Sequence, residues 1–426
     1  MRKLQAITIA ALLFSVISLN AQNSNWSHFR GNNLDGICRD GQNVPTKWND
    51  STNVLWKVPV SGKGWSSPVV WGEQVWLTTA STDGKQMYGL CLNKKTGKEI
   101  FNLKLFESAS TYQKHDFNTY ATPTPCIEQG FVYIHFGTSG TACVKTKDGS
   151  VAWKRTDLNC EHVQGPASSP IIYKNMVILH IEGTDVQYIV ALEKATGKTI
   201  WKTDRPKELY DKLKPIGKKA YITPVVINVK GRDLLISNGS GVCIAYDIIT
   251  GKEVWRFVQG EDSTISMPFT ENGMVYFYTG FVTPPDDNQY SEIIAIDPGG
   301  KGDITSTPYV KWRFKEPVLQ LLTPLIKDGL IYTINTKNQF FCLDAATGSQ
   351  IYTRRMTAKY NSSPVCAGGN IYFTSVSGET MVIKEGKKLD IVSRNKIDGE
   401  VYATPAITGN TIIIRTADNL YCIGQK

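Results

Sequence analysis

Ala245-Tyr246-Asp247-Ile248-Ile249-Thr250-Gly251-Lys252-Glu253-Val254-Trp255 reads as a strand, a tight turn and a second strand. Gly251 supplies the positive φ that such a turn demands, and Trp255 places a large flat side chain on the strand that follows. The same offset of four from glycine to aromatic recurs at Gly97/Phe101, Gly149/Trp153, Gly197/Trp201 and Gly348/Tyr352. An aromatic held at one register of an outer strand can fill the gap between wedge-shaped sheets.

Working outward, a Ser/Thr-Pro step precedes each unit: Ser67-Pro68, Thr122-Pro123, Ser169-Pro170, Thr223-Pro224, Thr323-Pro324, Ser363-Pro364 and Thr404-Pro405, with Met267-Pro268 in the eighth place. Spacings of 40 to 56 residues fall in or near the range of propeller repeats. Each proline leads into apolar alternation, a short turn and a second strand such as Val132 to Phe136 or Val177 to Ile181. No long window carries helical periodicity. The pattern predicts an all-β fold, an eight-bladed β-propeller of four-stranded antiparallel blades. The last blade, after Thr404-Pro405, has three strands and lacks its fourth. Val54-Leu55-Trp56-Lys57 has the form of that fourth strand (compare Trp153-Lys154 and Trp201-Lys202), so it is expected to complete the last blade and close the ring.

The domain reading is a signal peptide over 1–22, an N-terminal extension over 23–52 and the propeller over 53–426. Arg2 and Lys3 precede an apolar run from Ala6 to Leu19, and Asn20-Ala21-Gln22 offers a cleavage site. The run is short for a membrane span, no second one follows, and no cysteine follows it for lipidation. The chain is therefore expected to be exported, to the periplasm or the cell surface of a bacterium, as a monomer without a transmembrane span. Loss of Arg2 and Lys3 takes the formal charge from +9 to +7, and without a Lys/Arg cluster a nucleic-acid partner is not expected.

Nine cysteines in an exported chain raise the question of disulfides. Cys91, Cys143 and Cys342 share the slot held by Ala191 and Ala245, six residues before the turn glycine. A buried slot that accepts Ala accepts a free thiol, so these three are expected to be reduced. Cys38 and Cys160, in irregular segments, are the candidates for a bridge.

The Ala-x-Asp-x-x-x-Gly-x-x-x-Trp pattern resembles the pyrroloquinoline-quinone (PQQ)-type propeller repeat, carried by quinoprotein dehydrogenases and by the outer-membrane assembly lipoprotein BamB. With Trp26-Ser27-His28-Phe29-Arg30-Gly31 and Gly64-Trp65-Ser66-Ser67-Pro68, the chain is similar to a secreted, BamB-like bacterial subgroup. The resemblance implies the fold across the mature chain, but the repeat is a packing device and says little of function. The adjacent cysteines of the quinoprotein dehydrogenases and the Cys-x-x-Cys-His of their haem-bearing relatives are both missing, as is the lipidated cysteine of BamB.

Long irregular segments cover Phe106 to Asn118, Asp157 to Gln164, Arg205 to Lys219 and Phe281 to Tyr290. Three join one blade to the next and the fourth joins a second strand to a third, so in an up-and-down blade all four emerge on one face, where binding is expected. Trp65, Tyr120, Tyr221 and Tyr402 stand three residues before blade prolines and form a predicted aromatic ring at the channel mouth, able to stack a flat ligand or to pack as a plug. His162 and Gln164, with Asp185 in the next loop, complete the candidate ligand- or partner-binding set. His115 is a further loop candidate, whereas His135 and His180 share a permissive slot that suits packing. No metal site or catalytic set is read from the spacing. The expected function is a non-catalytic exported scaffold that binds a protein or glycan partner on its loop-rich face, without a cofactor. The alternatives are a PQQ- and calcium-dependent quinoprotein dehydrogenase, or a carbohydrate-active enzyme with two facing carboxylates.

Overall fold

A computed structural model describes residues 25–261, 264–281, 290–316 and 321–425. The expected signal peptide and the interior of the Phe281 to Tyr290 loop lie outside the described residues. Among the described residues eight four-stranded antiparallel sheets make up the ring, and two of them carry a short fifth strand in parallel, Ile37–Cys38 beside Val365–Ala367 and Gly302–Asp303 beside Glu253–Val258. The first blade runs Val69–Trp71, Gln74–Ala80, Gln86–Asn93 and Glu99–Glu107. In the last blade Val54–Pro59 pairs antiparallel with Asn419–Ile423, outside Thr411–Arg415 and Ala406–Thr408. Among the described residues helix is confined to Lys207–Tyr210 and Pro215–Lys218, both inside the loop from Arg205 to Lys219.

The repeated residues explain how blade meets blade. The Ala/Cys slot lies directly across the outer strand pair from the aromatic: Ala191 faces Trp201, Ala245 faces Trp255, Cys143 faces Trp153 and Cys342 faces Tyr352. A small side chain is needed there because the aromatic covers it. The Trp ring then reaches the next blade, where its Nε1–H donates to a turn carbonyl three residues before the turn glycine. Trp56 donates to Lys94 (2.9 Å), Trp153 to Lys194 (2.7 Å), Trp201 to Ile248 (3.2 Å) and Trp312 to Ala345 (2.9 Å). The glycine lies against the same ring: a Cβ on Gly251 would sit 2.5 Å from Trp201 Cε3. Gly251 is thus required twice, by its φ of +69° and by the ring over it.

Cys91, Cys143 and Cys342 are fully buried and free. The candidate pair Cys38 and Cys160 forms no bridge, and both thiols are free. Cys38 pairs with Ala367 on the seventh blade, while Cys160 packs with Leu158 and Tyr188 at the third blade, too far round the ring for a bridge.

The register of the second blade also differs from the sequence reading. Its inner strand is Cys126–Glu128, so the step that matches Ser67-Pro68 before Val69 is Thr124-Pro125 and not Thr122-Pro123. Two Thr-Pro steps stand in tandem there, and the first belongs to the loop.

The extension before Val54 is threaded through the ring. Trp26 exchanges backbone hydrogen bonds of 2.9 and 2.8 Å with Val70, the Ser27 carbonyl accepts from Ile127 N–H, and the Gly36 carbonyl accepts from Cys366 N–H. His28 Nε2 accepts from Ile172 N–H at 3.1 Å. Val70, Ile127, Ile172 and Cys366 are the middle residues of four inner strands, whose free edges face the channel. Arg30 is fully buried and donates to the carbonyls of Thr323, Pro324 and Pro364 across the ring. Burial pulls its guanidinium down to about 10, against a smaller opposing effect of the Asp35 charge. The segment therefore ties the first three blades to the sixth and seventh from inside the channel.

Candidate functional site

In six of the blade steps the Ser/Thr hydroxyl accepts a backbone N–H from the blade before it. Ser67 N–H donates to Thr124 Oγ1 (2.9 Å), Thr124 N–H to Ser169 Oγ (3.0 Å) and Ser169 N–H to Thr223 Oγ1 (3.1 Å). Met267 N–H donates to Thr323 Oγ1 (3.1 Å), Thr323 N–H to Ser363 Oγ (2.9 Å) and Ser363 N–H to Thr404 Oγ1 (3.0 Å). The proline that follows leaves no N–H of its own, so the hydroxyl acts across the blade boundary. The Ser and Thr residues of these steps, visible in the sequence only as punctuation, line the wall of a cavity of roughly 360 Å³.

Phe29, carried on the threaded extension, contributes to the cavity lining together with Trp65, Tyr221, Tyr402 and the loop residues His115, Phe117 and Gln164. Inner strands start at this end of the channel, below the long interblade loops, so the cavity opens on the loop-rich face. Trp65 and Tyr402 stack on each other with centroids 4.4 Å apart. The Trp65 indole N–H is buried without a hydrogen-bond partner among the described residues. Tyr221 donates its hydroxyl to Gln164 Oε1 at 2.6 Å, which fixes both side chains. His115 and Phe117 pair at the rim, where Phe117 is 69 % exposed.

Four of the seven predicted site residues (Trp65, Gln164, Tyr221 and Tyr402) line this cavity, and Tyr120, His162 and Asp185 do not. Tyr120 falls outside because the second blade's proline is Pro125, which puts Thr122 in the ring position; its own ring packs edge-on against Tyr112. Asp185 accepts Glu161 N–H at 2.7 Å and ties one loop to another. His162 lies beside the cavity in a buried polar cluster. Its Nε2 accepts Thr138 N–H at 3.2 Å and its Nδ1 stands 2.9 Å from Lys219 Nζ. Lys219 Nζ also donates to the Glu182 carbonyl, and burial disfavours the charged form of both His162 and Lys219, lowering both groups from their ordinary values.

Behind Lys219, Glu182 and Arg205 form a fully buried pair at 2.5 Å, with Tyr210 donating to the same carboxylate. Burial works against the Glu182 charge, but Arg205 outweighs it and holds the carboxyl below its usual range. His180 donates or accepts at Ser237 Oγ and His135 at Thr141 Oγ1, both at 2.8 Å, as packed core groups. Lys219 and Arg205, the two ends of one long loop, are thus its anchors rather than its contact surface.

Among the described residues, none lining the cavity is charged. PQQ is a flat quinone with three carboxylates, and no Lys or Arg among the described lining residues stands ready to pair with them, while Trp65 and Tyr402 stack on each other. Among the described residues no group of three or more His, Cys, Asp or Glu could hold a metal. The described lining does not fit PQQ with calcium, nor does it supply the two facing carboxylates of a glycoside hydrolase.

The family described as outer membrane protein assembly factor BamB matches residues 40–203, 185–317 and 307–390. A quinohemoprotein alcohol dehydrogenase, ADH-IIG of Pseudomonas putida, is 26% identical over 195 residues, covering 43% of this chain. The match spans 25% of that enzyme's length. Among solved structures, BamB from Moraxella catarrhalis superposes with a TM-score of 0.59 at 12% identity, covering 87% of this chain and 98% of that one. The computationally designed Ika8 protein superposes at 0.57 with 11% identity, covering 87% of this chain and 99% of its own. At such identities the likeness is one of fold.

Proposed function

Because the chain belongs to the family described as outer membrane protein assembly factor BamB, we propose that it is an exported, non-catalytic propeller scaffold that binds a protein or glycan partner at the funnel on its loop-rich face. The observation that carries this reading is the cavity itself: a recess of roughly 360 Å³ with aromatic and uncharged polar walls, rimmed by exposed Phe117 and backed by a rigid ring. On the opposite face most connections are tight turns such as Lys174-Asn175, with the longer segment from Asp297 to Tyr309 in the fifth blade as an exception. The proposed location is the periplasm or cell surface of a bacterium; no helix among the described residues is long and apolar enough to cross a membrane.

Replacing Phe117 or Asn175 with p-benzoylphenylalanine and irradiating producing cells tests the face. Adducts are expected from position 117 and not from 175; the reverse would overturn the reading. The second reading, a quinoprotein dehydrogenase, is favoured by the match to the Pseudomonas putida enzyme. Titration of the purified chain with PQQ and Ca²⁺ separates the two, since stoichiometric uptake seen in the visible spectrum would replace the first reading with the second.

A further inference from the structure

We propose that the well below the funnel mouth is a saccharide subsite that takes one or two pyranose units of a neutral glycan. The inference rests on the reading that the loop-rich face binds, and it narrows the ligand class. Its basis is the ring of hydroxyls from Ser67 to Thr404. Seven blades contribute one, each is at most 3 % exposed, and all line the cavity. Six of the oxygens accept a neighbouring backbone N–H. None of the seven hydroxyl hydrogens has an acceptor among the described residues, so each group retains a donor and a further lone pair. Buried hydroxyls in that state favour a ligand that pairs with them.

The arrangement selects among ligand classes. A sugar hydroxyl both donates and accepts, as these groups do, whereas an anion only accepts and an apolar side chain does neither. Hydroxyls spread over seven sectors of a circle suit a ring-shaped polyol, while the polar groups of an extended peptide lie along a line. Phe29 in the lining and exposed Phe117 at the rim offer apolar surface for the C–H face of a pyranose. The unpartnered Trp65 indole N–H adds a donor. The volume, roughly 360 Å³, matches one or two sugar units rather than a protein domain.

The test is a printed array of neutral and acidic glycans probed with the mature chain, followed by calorimetric titration of the best neutral disaccharide. Ser67→Ala is the cleanest ring variant, because among the described residues no backbone N–H donates to that hydroxyl. It should weaken binding about 2- to 10-fold, the net worth of one hydrogen bond. Thr323→Ser, which keeps its hydroxyl, should retain wild-type affinity and a wild-type melt. An array silent for neutral glycans, binding of acidic glycans alone, or unchanged affinity in Ser67→Ala would each overturn the proposal. Protein adducts from position 117 together with a silent array would leave the scaffold reading standing and remove only the saccharide; failure of both would remove the face as a binding site.

Discussion

Replacing Gly251 with alanine separates two demands that the repeat places on one residue. The backbone there has φ +69°, a conformation that costs an L-residue about 1–2 kcal/mol. The added methyl would also stand 2.5 and 2.6 Å from Trp201 Cε3 and Cδ2, so the indole that joins two blades must shift, at a further cost of about 1–3 kcal/mol. The expected loss is about 2–5 kcal/mol. Gly273 is the control: its φ is +78°, yet a Cβ there meets nothing within 4 Å. Gly273→Ala should therefore lose only the backbone part, about 1–2 kcal/mol. Urea unfolding followed by tryptophan fluorescence measures both. Equal losses in the two variants would refute the claim that the turn glycine is there for the ring as well as for the turn.

Acid should destabilise the chain through its buried histidines. Burial lowers His28 to about 4 and His135 to about 3, so the unfolded chain takes up protons first as the pH falls. Stability is full above about pH 6.5 and should drop by about 1.4 kcal/mol per pH unit for each ring down to its folded value; a flat profile between pH 6.5 and 4.5 in urea melts would contradict this. Deleting residues 25–59 removes both the outer strand of the last blade and the threaded segment, and should give aggregation or loss of a cooperative melt, with an unchanged melt counting against the role of Val54–Pro59. A maleimide reagent should leave Cys91, Cys143 and Cys342 unlabelled in the native chain and label them in urea; native labelling would show that the Ala/Cys slot is open.

The blade architecture was legible because its signals are local and repeated. The offset from Gly251 to Trp255 and the small residue at Ala245 belong to one hairpin, and recurrence multiplies a weak pattern into a firm one. What the repeat meant between blades was less legible. The Trp201 contact with Gly251 joins residues of different blades, and only the spatial neighbourhood reveals why the glycine is needed twice. The tandem steps at Thr122-Pro123-Thr124-Pro125 misplaced one register by two residues, which put Tyr120 in the funnel instead of Thr122. Proline punctuation alone cannot choose between two adjacent prolines, whereas the alternation that begins at Cys126 could have done so. Least visible was the path of Trp26 to Cys38. Its hydrogen bonds go to residues 44 to 334 positions away, and no period in the sequence marks them. Phe29 entered the candidate site by that route. Asp185 and His162 were chosen for polarity on the right face, but their hydrogen bonds are used in holding loops together.

Converting Trp65 and Tyr402 together to alanine is the most direct test of the funnel as a binding site. The two rings stack on each other at 4.4 Å, and both are only partly buried, so little of the core depends on them. The double variant, measured for cross-linking yield from position 117 and for its urea midpoint, should lose the partner while keeping nearly all of its stability. Retained cross-linking with a loss of about 3 kcal/mol or more per ring would mean that the pair is a packed plug and that the funnel is not where this protein binds.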